Sequence, residues 1–402
     1  KQAALCLGVA FFICFAAWIG GKVVYKKGQT ITQKVGGKKY DTFTTNSKNV
    51  VVVKTEYTND DDDKGEVFLP LQFFAGKYHL EEVKVPDGFI GLGKTQSFEM
   101  SGLLDFSKDE DGDPIYTVTV IDEQPKGSVH LTKTVDDLDT DTDLVDRSDL
   151  SKIQFVLKAK DDIYSPVDGS LMFAKDEKIT TENSGAVVNV GTEIGKGIYA
   201  LSKDGQLDIS NLPMGTGEAK YYFEEVKTLD GCVLDETKHA FTFKQKDFTT
   251  KNYSKELNVE NKTTHFNFNK TDVTGDKEVE GAQLTITDEK GNVIDHWIST
   301  DMPHSIEGLV VGKTYTLSET VSAKDYVKAS DIRFTVKNSS ELETVTMKDK
   351  QVSFTKTDVT GEKEVEGATI TVKEKETGKV IDEWTSTKES HFINGLEEGK
   401  IY

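Results

Sequence analysis

The sequence predicts an all-β protein made of tandem β-sandwich domains after an N-terminal apolar helix. Beyond residue 40, apolar and polar residues alternate with a period of two in runs such as 118–120, 284–287 and 369–372, a pattern typical of strands buried on one face. Turn signals such as Asp87-Gly88 separate these runs, and no stretch beyond residue 25 has a helical apolar stripe. Both observations favour sandwiches over any helical class.

Composition excludes several function classes. The 402 residues include 69 acidic and 49 basic side chains, with a net charge of -20, whereas nucleic-acid binding requires a basic face. We therefore expect no nucleic-acid partner. With 36% apolar residues the chain has enough hydrophobic surface to fold. Its three cysteines, two of them in one apolar run, cannot form a disulfide framework.

The first element is an apolar segment over residues 3–19, flanked by Lys1 and Lys22. Its length lies between that of a signal-peptide core and that of a spanning helix. We expect residues 1–21 to be an export signal or, if uncleaved, a membrane anchor; a buried core helix is the alternative. The sequence lacks an initiator Met, and we expect it to be a fragment.

A repeat sets the domain organisation. Residues 270–315 align with 356–402, roughly 27 of 46 positions are identical, and the period is about 86 residues. A period of this size indicates whole small domains in series. We predict the following domains: 22–125, divergent or partial; 126–262, enlarged; 263–350; and 351–402, truncated.

Two charged positions recur in phase with the core residues of the strands. A Glu lies four residues after a Tyr at Glu82, Glu225 and Glu319. A Lys ends an alternating apolar run at Lys133, Lys270 and Lys356. Side chains two residues apart on a strand share a face, so these charges are predicted to point into the core. There they must pair, shift their pKa values or react.

Four motifs recur in the third domain: the Lys-Thr-Asp opening at Lys270, Gly281-Ala282, the Gly-Leu…Gly-Lys-x-Tyr run ending at Tyr315, and the Tyr-x-Leu-x-Glu box. Together they resemble Cna protein B-type (SpaA-like) domains of Gram-positive pilins and adhesins. The resemblance extends from about residue 50 to the end. It implies immunoglobulin-like, prealbumin-like sandwiches in which a Lys on the first strand forms an isopeptide bond with an Asn or Asp on the last, assisted by a buried acid.

The resemblance assigns these roles to particular residues. In the third domain they fall on Lys270, Glu319 and Asp349, and in the second on Lys133, Glu225 and Asn261. The first domain has Glu82 and an acceptor candidate, Asp122, but no Lys at the expected spacing. The fourth has Lys356, and the sequence stops before its Glu and acceptor.

Elementary chemistry agrees with this assignment. An amine attacks a carbonyl only when it is neutral, and apolar burial lowers the pKa of Lys while raising that of Glu. A protonated Glu can polarise the acceptor and move a proton to the leaving ammonia or water. The alternative is a buried Lys-Glu salt bridge beside an unreacted Asn or Asp.

Other signals predict neither a metal nor a cofactor. Asp137, Asp139, Asp141 and Asp143 alternate like the start of a calcium loop, but the Gly and Glu that such a loop needs are missing. A solvated acidic insertion is the simpler interpretation. Cys232 has no evident catalytic partner, and no hydrolase or nucleotide-binding motif occurs.

These observations predict an exported structural protein of a Gram-positive cell surface, either a pilin subunit or an adhesin stalk. Isopeptide formation would occur once per domain, so we do not expect an enzyme. Expected partners are sortase, neighbouring pilin subunits or the cell wall, and the membrane if the N-terminal segment is retained. The alternative is an adhesin whose enlarged domain 126–262 binds a host matrix ligand.

Overall fold

The computed structural model describes residues 85–91 and 122–402, and the backbone of short strands between residues 17 and 115. The chain forms two compact units, residues 1–86 with 90–123 and residues 87–89 with 124–402. The strands of the first unit are β1 (Ala17–Ile19), β2 (Lys22–Val24), β3 (Thr30–Val35), β4 (Lys38–Thr45), β5 (Val51–Val52), β6 (Gly76–Leu80), β7 (Gln96–Met100), β8 (Ser107–Lys108) and β9 (Pro114–Ile115).

Almost all the described elements are strands, which confirms the predicted fold class. Residues 3–16 of the predicted N-terminal helix lie outside the described residues, and Ala17–Ile19 pairs with Lys22–Val24 as a hairpin. In the described part of the chain, no helix combines the length and apolar character required to cross a bilayer.

The 126–262 region is a sandwich of a four-stranded and a five-stranded sheet. Its strands are β10 (Lys126–Val135), β12 (Gln154–Ala159), β13 (Ile163–Tyr164), β14 (Leu171–Phe173), β15 (Val187–Val190), β16 (Thr192–Gly195), β17 (Ile198–Ala200), β18 (Gln206–Pro213), β19 (Glu218–Lys227), β20 (His239–Lys244) and β21 (Asn252–Asn261). The two sheets are ordered β15-β18-β10-β21 and β16-β17-β12-β19-β20. A hairpin, β13-β14, and one turn of helix, α1 (Thr181–Ser184), lie between these strands in sequence.

The 263–350 region repeats this plan with fewer strands. Its own strands are β22 (His265–Asp272), β23 (Gln283–Thr287), β24 (Val293–Ile298), β25 (His304–Glu307), β26 (Thr314–Val321), β27 (Ile332–Thr335) and β28 (Glu343–Asp349), and β11 (Thr142–Asp143) comes from the preceding domain. The two sheets are ordered β11-β25-β22-β28 and β24-β23-β26-β27.

The last repeat contains two strand pairs, β29 (Ser353–Phe354) with β32 (His391–Phe392) and β30 (Thr369–Lys373) with β31 (Val380–Thr385). It reproduces details of the third sandwich. Trp384 stacks on His391 with ring centroids 4.3 Å apart, as Trp297 stacks on His304 at 4.2 Å. The sequence repeat therefore corresponds to a structural repeat.

The predicted period of two is visible in the burial of the first strand of each complete sandwich. Along β10, Val129, Leu131 and Lys133 are buried and alternate with half-exposed residues. Along β22, Phe266, Phe268 and Lys270 follow the same pattern. The alternation that places apolar side chains in the core thus also places a lysine there, next to the last strand of its domain.

Candidate functional site: buried Lys-Glu-Asn and Lys-Glu-Asp triads

The lysine and its predicted acceptor lie on adjacent parallel strands in both complete sandwiches. Strand β10 pairs with β21, and Lys133 is opposite Val259. Strand β22 pairs with β28, and Lys270 is opposite Met347. The acceptors, Asn261 and Asp349, each lie two residues beyond the partner of the lysine. Because the side-chain period of a strand is two, lysine and acceptor share the core face of the sheet.

The third member of each triad comes from the opposite sheet, next to an irregularity in strand pairing. Glu225 is opposite Phe155 across β12 and β19, and the register shifts between Gln154 and Phe155. Glu319 is opposite Leu284 across β23 and β26, with a register shift at the equivalent place. In both domains the glutamate continues the regular inward alternation of its strand, after Tyr221 and Phe223 in β19 and after Tyr315 and Leu317 in β26. The irregularity follows the glutamate, which already points toward the lysine.

In the second domain the triad is fully enclosed. Lys133 is 1%, Glu225 3% and Asn261 1% exposed. The Lys133 Nζ lies 2.5 Å from Asn261 Oδ1 and 3.3 Å from Glu225 Oε2. The Asn261 Nδ2 donates to Glu225 Oε1 at 2.7 Å and to Thr228 Oγ1 at 2.5 Å. Glu225 therefore contacts both the amine and the amide nitrogen, the two groups between which a proton would have to move.

Burial changes the acid-base behaviour of Lys133. Desolvation lowers the pKa of its amine, and the charge and hydrogen bond of Glu225 oppose that shift. The Nζ lies 5.5 Å from the centroid of the Phe155 ring, an aromatic surface in place of water. The neutral, nucleophilic form of the amine is thus more accessible than at a solvated lysine.

In the third domain two carboxyl groups surround the lysine. Lys270, Glu319 and Asp349 are each 1% exposed. The Lys270 Nζ contacts Asp349 Oδ1 and lies 3.0 Å from Glu319 Oε1. The backbone N–H of Ala329 donates to Glu319 Oε2 at 2.6 Å. These contacts hold Glu319 on one side of the amine, with the acceptor carboxyl in direct contact with it.

The carboxyl of Asp349 has a strongly perturbed pKa. Burial raises it to about 7; Lys270 opposes this shift, and the neighbouring Glu319 reinforces it. Near neutral pH a large fraction of Asp349 is therefore protonated. A neutral carboxylic acid accepts an attacking amine far more readily than a carboxylate does, because its carbonyl carbon is more electrophilic and it can release water.

The structure does not bring together the remaining predicted residues. Glu82 lies outside the described residues. Asp122 is half-buried, in an irregular segment next to the bridge between Ile90 and Glu123. Lys356 is exposed, and no described carboxyl or amide side chain lies within bonding distance of its amine. The roles predicted for these three residues therefore stay predictions.

Sequence reasoning missed two groups that hold the triads. Thr228 follows Glu225 by three residues, and its hydroxyl accepts from the acceptor amide. The backbone of Ala329 fixes Glu319. The spacing of Thr228 from the Glu box was visible in the sequence, but a backbone donor leaves no sequence signal.

One cluster of carboxyl groups outside the triads has the spacing of a cation site. Ligand atoms of Asp137, Asp143 and Glu307 lie within 4.8 Å of one another. The guanidinium of Arg147 contacts Glu307, lies 2.6 Å from Asp143 and 3.8 Å from Asp137. Arg147 thus supplies the positive charge that these carboxylates need.

Cys232 also lies outside the triads. Burial raises the pKa of its thiol to about 12, so it is not a nucleophile at neutral pH.

Both complete sandwiches follow one plan, in which a first strand that carries a buried Lys pairs with a parallel last strand. The family model of the SpaA prealbumin-like fold domain matches residues 139–257 and 264–351, which together exceed half of the chain. The chain belongs to this family, as the motifs around Lys270 and Tyr315 predicted.

Solved structures with detectable similarity include a Bacillus anthracis protein and two pilins. The Bacillus anthracis TIE protein is 19% identical, with a TM-score of 0.30, and the match covers 68% of this chain and 45% of that one. A streptococcal ancillary pilin is 18% identical, with a TM-score of 0.23 and coverages of 78% and 82%. BcpA, the major pilin subunit of Bacillus cereus, is 14% identical, with a TM-score of 0.34 and coverages of 77% and 93%.

The chain spans less than half the length of the TIE protein. No curated protein sequence matches it. Because the structural scores are low, membership rests on the family model.

Proposed function

We propose that this chain is part of an exported structural protein of a Gram-positive cell surface, a pilin subunit or adhesin stalk, stiffened by Lys133–Asn261 and Lys270–Asp349 isopeptide bonds. The observation that supports it best is the recurrence of the same buried triad, from the same strands, in two consecutive sandwiches. A triad retained only as a salt bridge would bury three polar groups at a large desolvation cost. A covalent amide removes the charges of lysine and aspartate.

The proposed reaction is a condensation that balances without any co-reactant. The neutral Nζ of Lys133 attacks Cγ of Asn261, the new N–C bond forms, and the C–Nδ2 bond breaks. Glu225 receives a proton from the attacking amine and gives it to Nδ2, so ammonia leaves. In the third domain Lys270 attacks Cγ of Asp349, and water leaves with the help of Glu319. The fold supplies proximity, with each pair already in contact.

The position of the proposed bonds supports a mechanical role. Each joins the first strand of a sandwich to the last, so tension entering at one end of the domain passes through the bond to the other end. The polypeptide between the bonded residues carries no load. It spans a separation of 128 residues in the second domain and 79 in the third. When fully extended, these segments would measure about 430 Å and about 270 Å, and the bonds would prevent tension from releasing that length.

Single-molecule pulling on the full chain tests this mechanical role. We expect the wild-type protein to show neither extension. The Lys133→Met chain should release about 430 Å and the Lys270→Met chain about 270 Å. Lys290→Met, a change at an exposed lysine of the third domain, is the matched control and should behave as wild type. Wild-type traces that contain both extensions would contradict the proposal.

Anchoring and assembly extend the same proposal. A pilin subunit or stalk would be exported, handled by sortase and joined to neighbouring subunits or the cell wall. Family membership supports this assignment, and the acidic composition suits an exposed surface position.

A second candidate function is adhesion through the enlarged 126–262 domain. Its hairpin and the strands after α1 carry large apolar side chains that are half or more exposed: Val167 71%, Leu171 51%, Val187 50% and Ile194 52%. Such exposure is typical of binding surfaces when the residues are contiguous. Binding of the chain to immobilised matrix proteins, lost when Val167 and Leu171 are replaced by Ser, would support adhesion. Unchanged binding, or none, would argue against it.

A further inference from the structure

One strand of the third sandwich does not belong to it. In the second sandwich the outer edge of β18 is covered by β15 of the same domain. In the third sandwich the equivalent strand, β25, is covered by β11 from the second domain, with Thr142 opposite Ile306 and Asp143 opposite Glu307. The acidic insertion predicted from the sequence therefore supplies an edge strand to its neighbour, a known mode of recognition between sheets and extended segments.

Backbone and side-chain hydrogen bonds hold this strand in place. The Leu144 N–H donates to the carbonyl of Glu307 at 3.1 Å. The N–H groups of Asp141 and Ser305 each donate to the side chain of the other residue, at 3.0 and 2.7 Å. Thr142 Oγ1 donates to Asp295 Oδ2 at 2.8 Å. The aspartates predicted to be solvated are exposed, but the segment that carries them is paired.

An ion pair between the two domains lies at the end of this strand. Glu307 is 0% exposed. One of its carboxylate oxygens contacts Arg147, and the other accepts the N–H of Leu138 at 2.8 Å. The Arg147 Nε donates to the carbonyl of Asp136 at 2.9 Å, and Nη1 lies 2.6 Å from Asp143. A single guanidinium therefore binds both ends of the segment to a carboxylate of the next domain.

Two glycines allow the domains to approach closely here. Gly231, in the second domain, and Gly308, in the third, have φ of 86° and 90°. A Cβ on Gly231 would lie 2.5 Å from the carbonyl oxygen of Gly308, and a Cβ on Gly308 would lie 2.6 Å from Val145. Only glycine has both this conformation and this clearance. The junction is thus built for direct contact rather than for a hinge.

We propose that residues 136–147 are an interdomain clasp that holds the third sandwich rigidly against the second, locked by the Arg147–Glu307 ion pair. The partner of the clasp is β25 and the residues around it. The clasp and the triads touch once, where the Asp136 N–H donates to the backbone carbonyl of Asn261 at 3.0 Å. The contacts that lock the clasp use no triad side chain, so we expect it to hold whether or not the isopeptide bonds form. It would stiffen the chain between domains, where the proposed bonds cannot act.

The junction between the third domain and the last repeat uses the same position, the residue before a Gly-Leu pair, for recognition between domains. Asn394 precedes Gly395-Leu396 as Glu307 precedes Gly308-Leu309, and its side chain accepts the N–H of Asp325 from the preceding domain. Both junctions therefore use the same position as an interdomain acceptor. Only the junction with the insertion adds an arginine and an edge strand.

Limited proteolysis of the full chain by a protease that cleaves before aspartate tests the clasp. The segment offers six such sites, at Asp136, Asp137, Asp139, Asp141, Asp143 and Asp146. Cleavage of a paired strand requires local opening, so its rate follows the population of the open state. We expect Arg147→Ala and Glu307→Ala each to raise the cleavage rate at these sites at least tenfold. Lys337→Ala, which removes an exposed ion pair of the third domain, should leave the rate unchanged.

The Arg147→Ala, Glu307→Ala double variant shows whether the two side chains act on the cleavage rate through one shared contact or separately. If Arg147 and Glu307 act on each other, the double variant is cleaved no faster than the faster single one. Two outcomes would overturn the proposed lock. One is a double variant whose increase in cleavage rate is the product of the two single increases, and the other is single variants that are cleaved at the wild-type rate. Circular dichroism of every variant must retain the wild-type strand signal, and an unfolded Glu307→Ala chain is replaced by Glu307→Gln. The isopeptide proposal is tested separately, by mass.

Discussion

Asn261 lies two residues beyond Val259, the strand partner of Lys133, so this lysine meets its proposed acceptor diagonally across two parallel strands. The same offset relates Lys270 to Asp349. In both domains a glutamate from the opposite sheet contacts the amine of the lysine. Two domains that differ by some 50 residues in length keep the offset because it is set by strand register rather than by loops.

Replacing Glu319 by Gln should abolish the Lys270–Asp349 bond and leave the fold intact. Gln has the size of Glu and can still accept the Ala329 N–H, which donates at 2.6 Å, but it cannot shuttle a proton. Mass spectrometry of the folded chain should show no loss of water in the third domain. The Lys133–Asn261 bond, formed in the same molecule, is the internal control. Continued loss of water would mean that another group assists.

Exchanging the acceptor should change the leaving group. Asp349→Asn places in the third domain the amide that the second domain has, at the same register position. We expect the bond to form with loss of ammonia instead of water. Tryptic peptides that link residues 270 and 349 would show the difference. A folded Asp349→Asn chain with no covalent link between residues 270 and 349 would show that residue 349 is not the acceptor.

Loss of the bond should lower thermal stability substantially. The bond closes a loop with a residue separation of 79, for which the chain-entropy model of cross-links gives about 4.5 kcal/mol. At about 4 to 8 °C per kcal/mol for a small domain, the melting temperature of the third domain should fall by more than about 10 °C in Glu319→Gln. That variant keeps Lys270 beside Asp349 and changes only the charge of a side chain of equal size, so the fall in melting temperature is mainly the effect of the lost bond. An unchanged melting temperature would contradict a covalent link in the wild type.

Without its lysine, the third domain should lose stability as pH rises. The pKa of Asp349 is raised to about 7 in the fold, from an ordinary value of 3.8. A raised folded-state pKa gives stability that is present below pH 4 and lost as pH rises through 7. Because Lys270 lowers this pKa, Lys270→Met moves the loss to still higher pH. The urea midpoint of the variant should be higher at pH 5 than at pH 8.

The control for this pH dependence is Lys270→Met combined with Asp349→Asn, which replaces the titrating carboxyl by a neutral amide. Its urea midpoint should change much less between the two pH values. An equal dependence in both variants would assign the effect to other groups.

The sequence was most informative where the period of the side chains decides the structure. Alternation along 129–133 and 266–270 was sufficient to place Lys133 and Lys270 in the core, and the position of Glu225 and Glu319 after a Tyr was sufficient to orient them. The family resemblance supplied the acceptors. Strand pairing itself gives no local signal, so the parallel register that brings Asn261 and Asp349 to the lysines needed the structure.

The clasp shows the limit of composition as evidence. Asp137 to Asp143 were interpreted as a solvated insertion because alternating carboxylates favour water, and their side chains are exposed. Leu138 and Thr142, which lie between them, bond to the next domain, and Arg147 meets Glu307 across 160 positions of sequence. A contact at that separation is decided by the packing of two domains, which no local pattern encodes.

The intact mass of the folded full chain tests the central claim most directly. We predict a mass below that of the sequence by one ammonia, from Lys133 and Asn261, and one water, from Lys270 and Asp349. Fragments that link residues 133 with 261 and 270 with 349 would locate both bonds. A mass equal to that of the unmodified sequence would show that the triads are buried ion pairs and would contradict the covalent function.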